Sequence, residues 1–125
     1  DDVPVDYPKA TKVDALLALT QEACDKYSAD LKDSGILLYD TDLVTKLPEG
    51  GFKKVGFNII NTAKNEVGRE IVANIVALGA MIALTGVVSR ENGLKAVLSR
   101  VPEAFLELNE KAYAAGFDKA KAAAA

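Results

Sequence analysis

A continuous apolar stretch from Ile71 to Val88, IVANIVALGAMIALTGVV, constrains the fold of this chain more than any other segment. At 100° per residue its apolar side chains cover every side of a helix, which leaves no face for water. We therefore expect a helix from about Arg69 to Thr85 that is enclosed by its own domain, by partner subunits or by both. Asn74 lies in its middle, and because an unpaired buried amide costs about 1 to 3 kcal/mol, we expect a hydrogen-bond partner on a loop or on another subunit.

The same stretch lies at the lower limit of length for a bilayer-spanning helix, so a membrane-associated component is one alternative. Charged residues at both ends, among them Arg69 and Arg90, and the lack of flanking Trp or Tyr argue against it. Small residues such as Gly79 allow close helix packing in a soluble core as well as in lipid. We therefore expect no membrane partner, and Asn74, Gly79 and Thr85 are candidates for structural or interface roles.

Composition limits the classes of function that remain. The 125 residues suffice for one domain with a core of its own, so we expect residues 1–125 to form a single domain. A net charge of -3 and a pI near 5.0 give no electrostatic reason to expect nucleic acid. Cys24 is the only cysteine, so an intrachain disulfide is excluded and the cytoplasm is the expected compartment. A free cysteine is most often a small buried side chain, and we expect Cys24 to be one. The absence of His and of CxxC, Walker and GxGxxG motifs leaves no catalytic residue and no metal ligand to assign.

Three short segments have the pattern of β-strands. The first two are continuous apolar runs, which are typical of strands buried on both faces of a parallel sheet. Thr20 is expected to cap the helix between them and Gly35 to terminate it, and this strand, helix and strand form a right-handed βαβ unit. The predicted strands are Val13 to Thr20, Ile36 to Asp40 and Lys54 to Ile60, with the first helix from Gln21 to Leu31.

From residue 61 onward the chain is expected to be helical. The predicted fold class is therefore α/β, with a Rossmann-like mostly parallel sheet, a buried apolar helix and C-terminal helices. The expected caps and breaks are Asn61 or Thr62 at the start of a short helix, Gly68 at its end, Ser89 before a helix from Arg90 to Arg100, Pro102 at the start of the last helix and Gly116 at its cap.

Ligand candidates follow from the predicted sheet. In parallel α/β sheets, ligands collect beyond the carboxyl ends of the strands. Here those positions are Thr20, Gln21, Asp40 and Thr41, which are weak candidates for cofactor binding. Structural roles compete with this hypothesis, because Thr20 can cap a helix and Asp40 can hold the backbone N–H groups of a turn.

Four segments together resemble one known family. They are DYP at Asp6 to Pro8, VDALLALTQEACDKY at Val13 to Tyr27, ANIVALGAMIALTGVVS at Ala73 to Ser89, and RVPEAFLELNEKAYAAGF at Arg100 to Phe117. The chain is similar to the gamma subunit, or gamma domain, of the 2-oxoacid:ferredoxin oxidoreductases, which act on pyruvate, 2-oxoglutarate or branched-chain 2-oxoacids such as ketoisovalerate. ANIVALGA followed by LTG, with LNEKAYAAGF at the right distance, is the most specific part of the resemblance.

The resemblance implies a subunit of a hetero-oligomeric complex that oxidatively decarboxylates a 2-oxoacid to acyl-coenzyme A. Thiamine diphosphate, magnesium and iron-sulfur clusters would then be bound by alpha, beta and delta type subunits, and ferredoxin would accept the electrons. The gamma part would scaffold the complex and help to line the coenzyme A side of the site, without binding a cofactor alone. The alternative that the sequence leaves open is a stand-alone α/β module that binds a small acyl or nucleotide ligand at the strand ends.

Two departures from the family pattern bear on this assignment. The family opens with a strand and a Gly-rich GxGGQG turn ahead of the DYP segment, and nothing in this sequence corresponds to them. We therefore expect these residues to be the rear part of a longer chain whose front holds a strand, a Gly-rich turn and a helix. Many members also have Gly-Asn before the apolar helix where this chain has Gly68-Arg69, so no role of that Asn is carried over.

Overall fold

The computed structural model describes residues 13–124, and a sheet of three parallel strands forms the centre of this region. The strands are β1 (Val13–Ala18), β2 (Leu31–Asp40) and β3 (Lys53–Phe57), and they lie side by side in the order β1-β2-β3. Both neighbouring pairs are parallel, which confirms the predicted α/β fold with a mostly parallel sheet. The DYP segment at Asp6 to Pro8 lies outside the described residues.

The helix after β1, α1 (Gln21–Tyr27), is shorter than predicted. It begins as expected after Thr20, whose hydroxyl accepts a hydrogen bond from the Ala23 N–H at 3.1 Å. It ends in a short 3-10 turn, and Leu31 is already the first residue of β2. The prediction that the helix extends to Leu31 is wrong because this side chain enters the core next to Cys24 from an extended backbone, so tertiary packing outweighs the helical spacing.

The second strand is longer than predicted and irregular near its start. Val13 pairs with Leu31, but Ala15 pairs with Ile36, so β2 carries extra residues across this part of the ladder. Gly35, which was expected to end the helix, lies inside β2 at this irregularity. A glycine within a strand commonly marks such a bulge, because it has no side chain to pack against the neighbouring strand.

The segment after β3 becomes helical earlier than predicted, so β3 ends at Phe57 instead of Ile60. The Ile60 N–H donates to the Asp40 carboxylate at 2.8 Å, which gives the first turn of this helix the acceptor that an N-cap normally supplies. Asn61 and Thr62, the predicted caps, are therefore inside the helix. This α2 helix comprises Ile59–Asn61, continues as a π-helical segment at Thr62–Val67, and ends as predicted at Gly68, which has a φ of +114°.

The second half of the chain is helical, as predicted. The Ser89 hydroxyl accepts a hydrogen bond from the Asn92 N–H at 3.0 Å and starts a helix that ends at Leu98, shortly before the predicted end at Arg100. Pro102 leads into the last helix through a short 3-10 turn. The helices are α3 (Ala73–Thr85), α4 (Arg90–Leu98) and α5 (Leu106–Ala124). A 3-10 turn at Glu70–Val72 precedes α3.

The helices α3 and α5 touch at their backbones. A Cβ atom on Gly116 would lie 1.8 Å from the Val76 carbonyl oxygen, and one on Gly79 would lie 2.3 Å from the Tyr113 carbonyl oxygen. Only glycine permits so close an approach, because any other residue would place its Cβ inside the facing backbone. Gly116 is therefore not the helix cap that the sequence predicts, and α5 continues through it.

Both faces of β2 are covered, as its continuous apolar run predicts, whereas Leu17 of β1 is 37% exposed. Leu37 and Leu38 are neighbours in β2 whose side chains point to opposite faces, and both are 0% exposed. Leu38 packs in a cluster with Val76 of α3 and Ala112 of α5. Leu37 packs in the other cluster with Cys24 of α1, which confirms the prediction that this cysteine is a small core side chain.

Within residues 13–124 only one side of α3 is enclosed, so the predicted cover of its other side is left to partner subunits. Val76 and Ala80 are fully buried in the core, but Ile71 is 78% exposed and Leu78 is 41% exposed. The Asn74 amide is exposed and has no hydrogen-bond partner among residues 13–124, so the partner expected on another subunit stays a prediction. The physical reason is that α5 and the sheet contact only one side of α3.

None of the described helices combines the length and apolarity needed to cross a membrane.

Two buried titratable groups predict how stability changes at alkaline pH. Burial raises the pKa of the Cys24 thiol above its ordinary value of 9.0, and the Asp25 carboxylate adds to this effect. Burial also raises the pKa of the Tyr113 phenol above 10.0, while the Arg90 guanidinium partly opposes it. The folded chain thus holds protons that the unfolded chain has released, so the free energy of unfolding should fall as the pH rises above about 9.

Denaturant titrations between about pH 8 and pH 11 measure this effect. The C24A variant should lose less stability than the wild-type chain over the lower part of that range, because it lacks the thiol. A stability that stays constant or increases between these pH values would contradict the prediction.

Candidate functional site

The carboxyl ends of the three strands meet at one edge of the sheet, where the sequence places its ligand candidates. Ala18 is in register with Tyr39, and Asp40 is in register with Phe57. The residues that follow β1 therefore lie beside those that follow β2, in the position where parallel sheets bind ligands. The structure thus brings together all four sequence candidates, Thr20, Gln21, Asp40 and Thr41.

Gln21 fixes the loop that follows β2. Its side-chain oxygen accepts hydrogen bonds from the Thr45 N–H at 2.8 Å and the Lys46 N–H at 2.9 Å. Its Nε2 donates to the Lys46 carbonyl at 2.8 Å and to the Asp25 carboxylate at 2.9 Å. A single carboxamide therefore satisfies three backbone groups of a loop more than 20 residues away, a role for which the sequence offers no local signal.

Asp40 has the structural role that competed with ligand binding. Its side chain is 0% exposed, its Oδ1 accepts from the Asp42 N–H at 2.8 Å, and its Oδ2 accepts from the Ile60 N–H at 2.8 Å. The neighbouring Thr41 N–H donates to the Phe57 carbonyl at 3.0 Å, while the Thr41 side chain is exposed. The carboxylate therefore joins the ends of β2 and β3, and the exposed Thr20 and Thr41 lie at the surface of this edge.

A second region with the geometry of a site lies on the open side of α3. We call its first part the arginine groove, a cleft of about 330 Å³ between the start of α3 and the start of α5. We call its second part the apolar groove, a cleft of about 510 Å³ between α3 and α4. Residues Arg69, Ile71, Asn74, Arg100, Phe105 and Leu108 line the arginine groove, and Ile75, Leu78, Ile82, Val88, Val97 and Val101 line the apolar groove.

Positive charge is concentrated at one end of this region. Arg69 and Arg100 both line the arginine groove, both are exposed, and neither forms an ion pair with another of the described residues. Asn109 also lines this groove and donates its Nδ2 hydrogen to the Phe105 carbonyl at 3.0 Å. No Asp or Glu lines either groove within residues 13–124. The arrangement can bind a carboxylate or a phosphate beside an apolar surface.

The three candidates for structural or interface roles have different environments. Asn74 lies in the arginine groove with its amide exposed, whereas Gly79 faces α5 and is buried. The Thr85 hydroxyl donates to the Met81 carbonyl at 2.8 Å within α3. Arg69 and Arg100 could not be recognised as site residues from the sequence, because the groove forms only when the turn before α3 meets the connection between α4 and α5.

Comparison with known proteins identifies the family. Residues 1–119 match the family model described as pyruvate ferredoxin/flavodoxin oxidoreductase. The chain is 43% identical over 122 residues to the 2-oxoglutarate synthase subunit KorC of Methanocaldococcus jannaschii. That alignment covers 96% of this chain and 65% of the relative, so the chain spans about two thirds of the length of this relative.

Solved structures share the fold. The crystal structure of a keto/oxoacid ferredoxin oxidoreductase gamma subunit from Geobacter sulfurreducens PCA is 77% identical and superposes with a TM-score of 0.86, covering 88% of this chain and 65% of the other. The pyruvate oxidoreductase subunit PORC from Thermotoga maritima is 23% identical and superposes with a TM-score of 0.72. This superposition covers 90% of this chain and 66% of the other. The latter similarity establishes the fold alone, and the former agrees with the gamma-type resemblance found in the sequence.

Proposed function

This chain belongs to the pyruvate ferredoxin/flavodoxin oxidoreductase family, and on that basis we propose that it is a gamma-type subunit of a multi-subunit 2-oxoacid:ferredoxin oxidoreductase. Such a complex oxidatively decarboxylates a 2-oxoacid to acyl-coenzyme A. The observation that carries the proposal is the 77% identity with a gamma subunit over 88% of this chain. The similarity to 2-oxoglutarate synthase subunits makes 2-oxoglutarate the first substrate to test.

The residues of this chain do not fit an iron-sulfur cluster or a catalytic metal. A cluster usually takes four thiolates, whereas this chain has one cysteine, which is buried and whose pKa is raised by that burial. Among residues 13–124, no three carboxylate or thiol groups gather as possible metal ligands. We therefore assign thiamine diphosphate, magnesium and the clusters to alpha, beta and delta type subunits, with ferredoxin as the electron acceptor, and assign this chain no catalytic residue.

The contribution of this chain is a scaffold and part of one wall of the site. We assign the coenzyme A side to the carboxyl edge of the sheet, because ligands of parallel sheets bind at this edge. Gln21 and Asp40 fix the backbone there, and the exposed Thr20 and Thr41 lie at its surface. The single reduced Cys24 is consistent with a cytoplasmic complex.

Reconstitution tests the proposed function. The full chain is expressed alone and together with the alpha, beta and delta type subunits of the same organism. The complex should reduce ferredoxin when 2-oxoglutarate and coenzyme A are supplied, and pyruvate and ketoisovalerate serve as competing substrates. The purified chain alone should show no oxoacid-dependent reduction and no stoichiometric iron or thiamine diphosphate, because one cysteine cannot hold a cluster that usually takes four and no three possible metal ligands gather among residues 13–124.

Two results would contradict this assignment. One is oxoacid-driven dye reduction by the isolated chain. The other is a wild-type chain that remains separate from all of these subunits in gel filtration yet binds an acyl or nucleotide ligand by itself. The second result would instead favour a stand-alone binding module.

A further inference from the structure

We propose that the open side of α3 is a docking groove for a helix of another subunit that presents apolar side chains along its length and a carboxylate at one end. This inference rests on the proposed function, because it requires that the chain works inside a complex. It identifies the surface of this chain that is used and the chemistry of the segment that covers it.

The two grooves form one continuous channel along α3. Ile75, Arg100 and Val101 line both the arginine groove and the apolar groove, so the two clefts join at these residues. From Ile71, in the 3-10 turn before α3, to Ile82 the channel extends over about 17 Å, at about 1.5 to 2.0 Å per residue. A docked helix would fill that length with about three turns.

The channel exposes large apolar side chains that a partner would cover. Ile71 is 78% exposed, and Leu78, Val88 and Phe105 are 41%, 44% and 46% exposed. Large contiguous apolar patches are rare on folded proteins and mark interaction sites or aggregation hazards. An amphipathic helix laid into an apolar groove buries such side chains through its own residues at spacings of three and four.

Charge complementarity identifies the end of the partner helix that carries the carboxylate. Arg69 and Arg100 are exposed in the arginine groove and have no ion-pair partner among the described residues. Covering them with an apolar segment alone would desolvate two guanidinium groups without compensation. An Asp or Glu on the docked helix would bind them through charge-assisted hydrogen bonds, and the exposed Asn74 amide would add a further donor and acceptor.

The same features argue against two other occupants. A second copy of this chain would bring the same two grooves, in which no described residue is Asp or Glu, so Arg69 and Arg100 would be buried without a carboxylate from that face. A small anion would satisfy the arginines but would leave Leu78 and Val88 exposed at the other end of the channel.

Photo-crosslinking in the reconstituted complex tests the location. Benzoylphenylalanine is introduced at Ile71 or Leu78 within the docking groove and, as the control, at the exposed Lys111 of α5. Irradiation of the I71 and L78 variants should join this chain to an apolar helical peptide of another subunit that contains Asp or Glu. The K111 variant should not give that product.

Charge reversal in the same complex tests the chemistry. R100E should weaken association of this chain with the other subunits by roughly tenfold to a hundredfold, whereas the matched reversal K111E should leave it unchanged. Replacing the crosslinked carboxylate by lysine should restore the binding of R100E. Circular dichroism and thermal melts of R100E should match the wild-type chain, because Arg100 is exposed and has no described side-chain partner.

The outcomes separate this inference from the proposed function. If the wild-type chain joins an active complex but I71 and L78 crosslink to nothing, or to a second copy of this chain, the docking groove is refuted and the function stands. Full association of R100E refutes the carboxylate partner in the same way. If the wild-type chain does not join the complex, the function and the docking groove are refuted together.

Discussion

Replacing Gly116 with alanine should lower the free energy of unfolding by about 3 kcal/mol. The added Cβ would lie 1.8 Å from the carbonyl oxygen and 2.7 Å from the carbonyl carbon of Val76, and both atoms belong to the backbone of α3. A side chain could change rotamer to relieve such an overlap, but a helix backbone cannot. The helices α3 and α5 must therefore move apart, which opens the cluster that covers one face of the sheet.

The sign of this change distinguishes the helix contact from a simple effect of helix propensity. Alanine in place of glycine inside a helix would by itself stabilise the chain by about 1 kcal/mol. Urea titration of G116A measures the difference, and A122S at an exposed position of the same helix should stay within about 0.5 kcal/mol of the wild-type chain. A G116A variant as stable as the wild-type chain would show that α3 and α5 do not touch at this point.

Replacing Asp40 with alanine should destabilise the chain by about 2 to 4 kcal/mol. The change removes the acceptor of two backbone N–H groups, those of Asp42 and Ile60, each at 2.8 Å. It therefore frees both the turn after β2 and the first turn of α2. Asp40→Asn should cost less, because its one remaining carbonyl oxygen can still accept one of these hydrogen bonds.

The control for Asp40 is the adjacent aspartate. Asp42→Ala removes an exposed carboxylate of the same loop and should change the free energy of unfolding by about 0.5 kcal/mol or less. Thermal and urea unfolding of the three variants make the comparison. If Asp40→Ala were as stable as the wild-type chain, the buried carboxylate would not hold the strand ends, and a role in ligand binding would become the better explanation.

Features that depend on neighbouring residues were predictable from the sequence. The caps at Thr20 and Ser89 were predicted because the hydroxyl of an N-cap residue accepts from an N–H group two or three residues later in the same chain. The two-sided burial of β2 followed from the continuous apolar run that contains Leu37 and Leu38. Gly68 was identified as a break because it follows a helical segment, and it has the left-handed conformation that ends helices.

Features that depend on distant contacts were not predictable. Leu31 has the correct spacing for the face of α1, but its place in the core under the sheet selects an extended backbone. Gly116 has the chemistry of a cap, and only its proximity to Val76 shows that it permits a helix crossing. The apolar composition of α3 predicts that it is enclosed, but it does not say which sides this chain covers and which are left to partner subunits.

The candidate site shows the same division. The strand-end residues could be located because parallel strands end at a common edge, but the bonds from Gln21 to the loop at Thr45 and Lys46 require the folded geometry. Arg69 and Arg100 lie far apart in the sequence, and they become neighbours of one groove only through the packing of α3, α4 and α5. The sequence shows both charges, but their meeting in one groove, which supports the docking proposal, requires the folded structure.

The close crossing of α3 and α5 also has a consequence during translation. Val76 leaves the ribosome 40 residues ahead of Gly116, which corresponds to a delay of about 2 to 8 s at ordinary rates of synthesis. Throughout this interval α5 is not yet available to cover the inner side of α3, and the outer side is open as well. The nascent chain therefore presents a predominantly apolar helix for seconds, and we expect chaperones that recognise exposed hydrophobic segments to bind it.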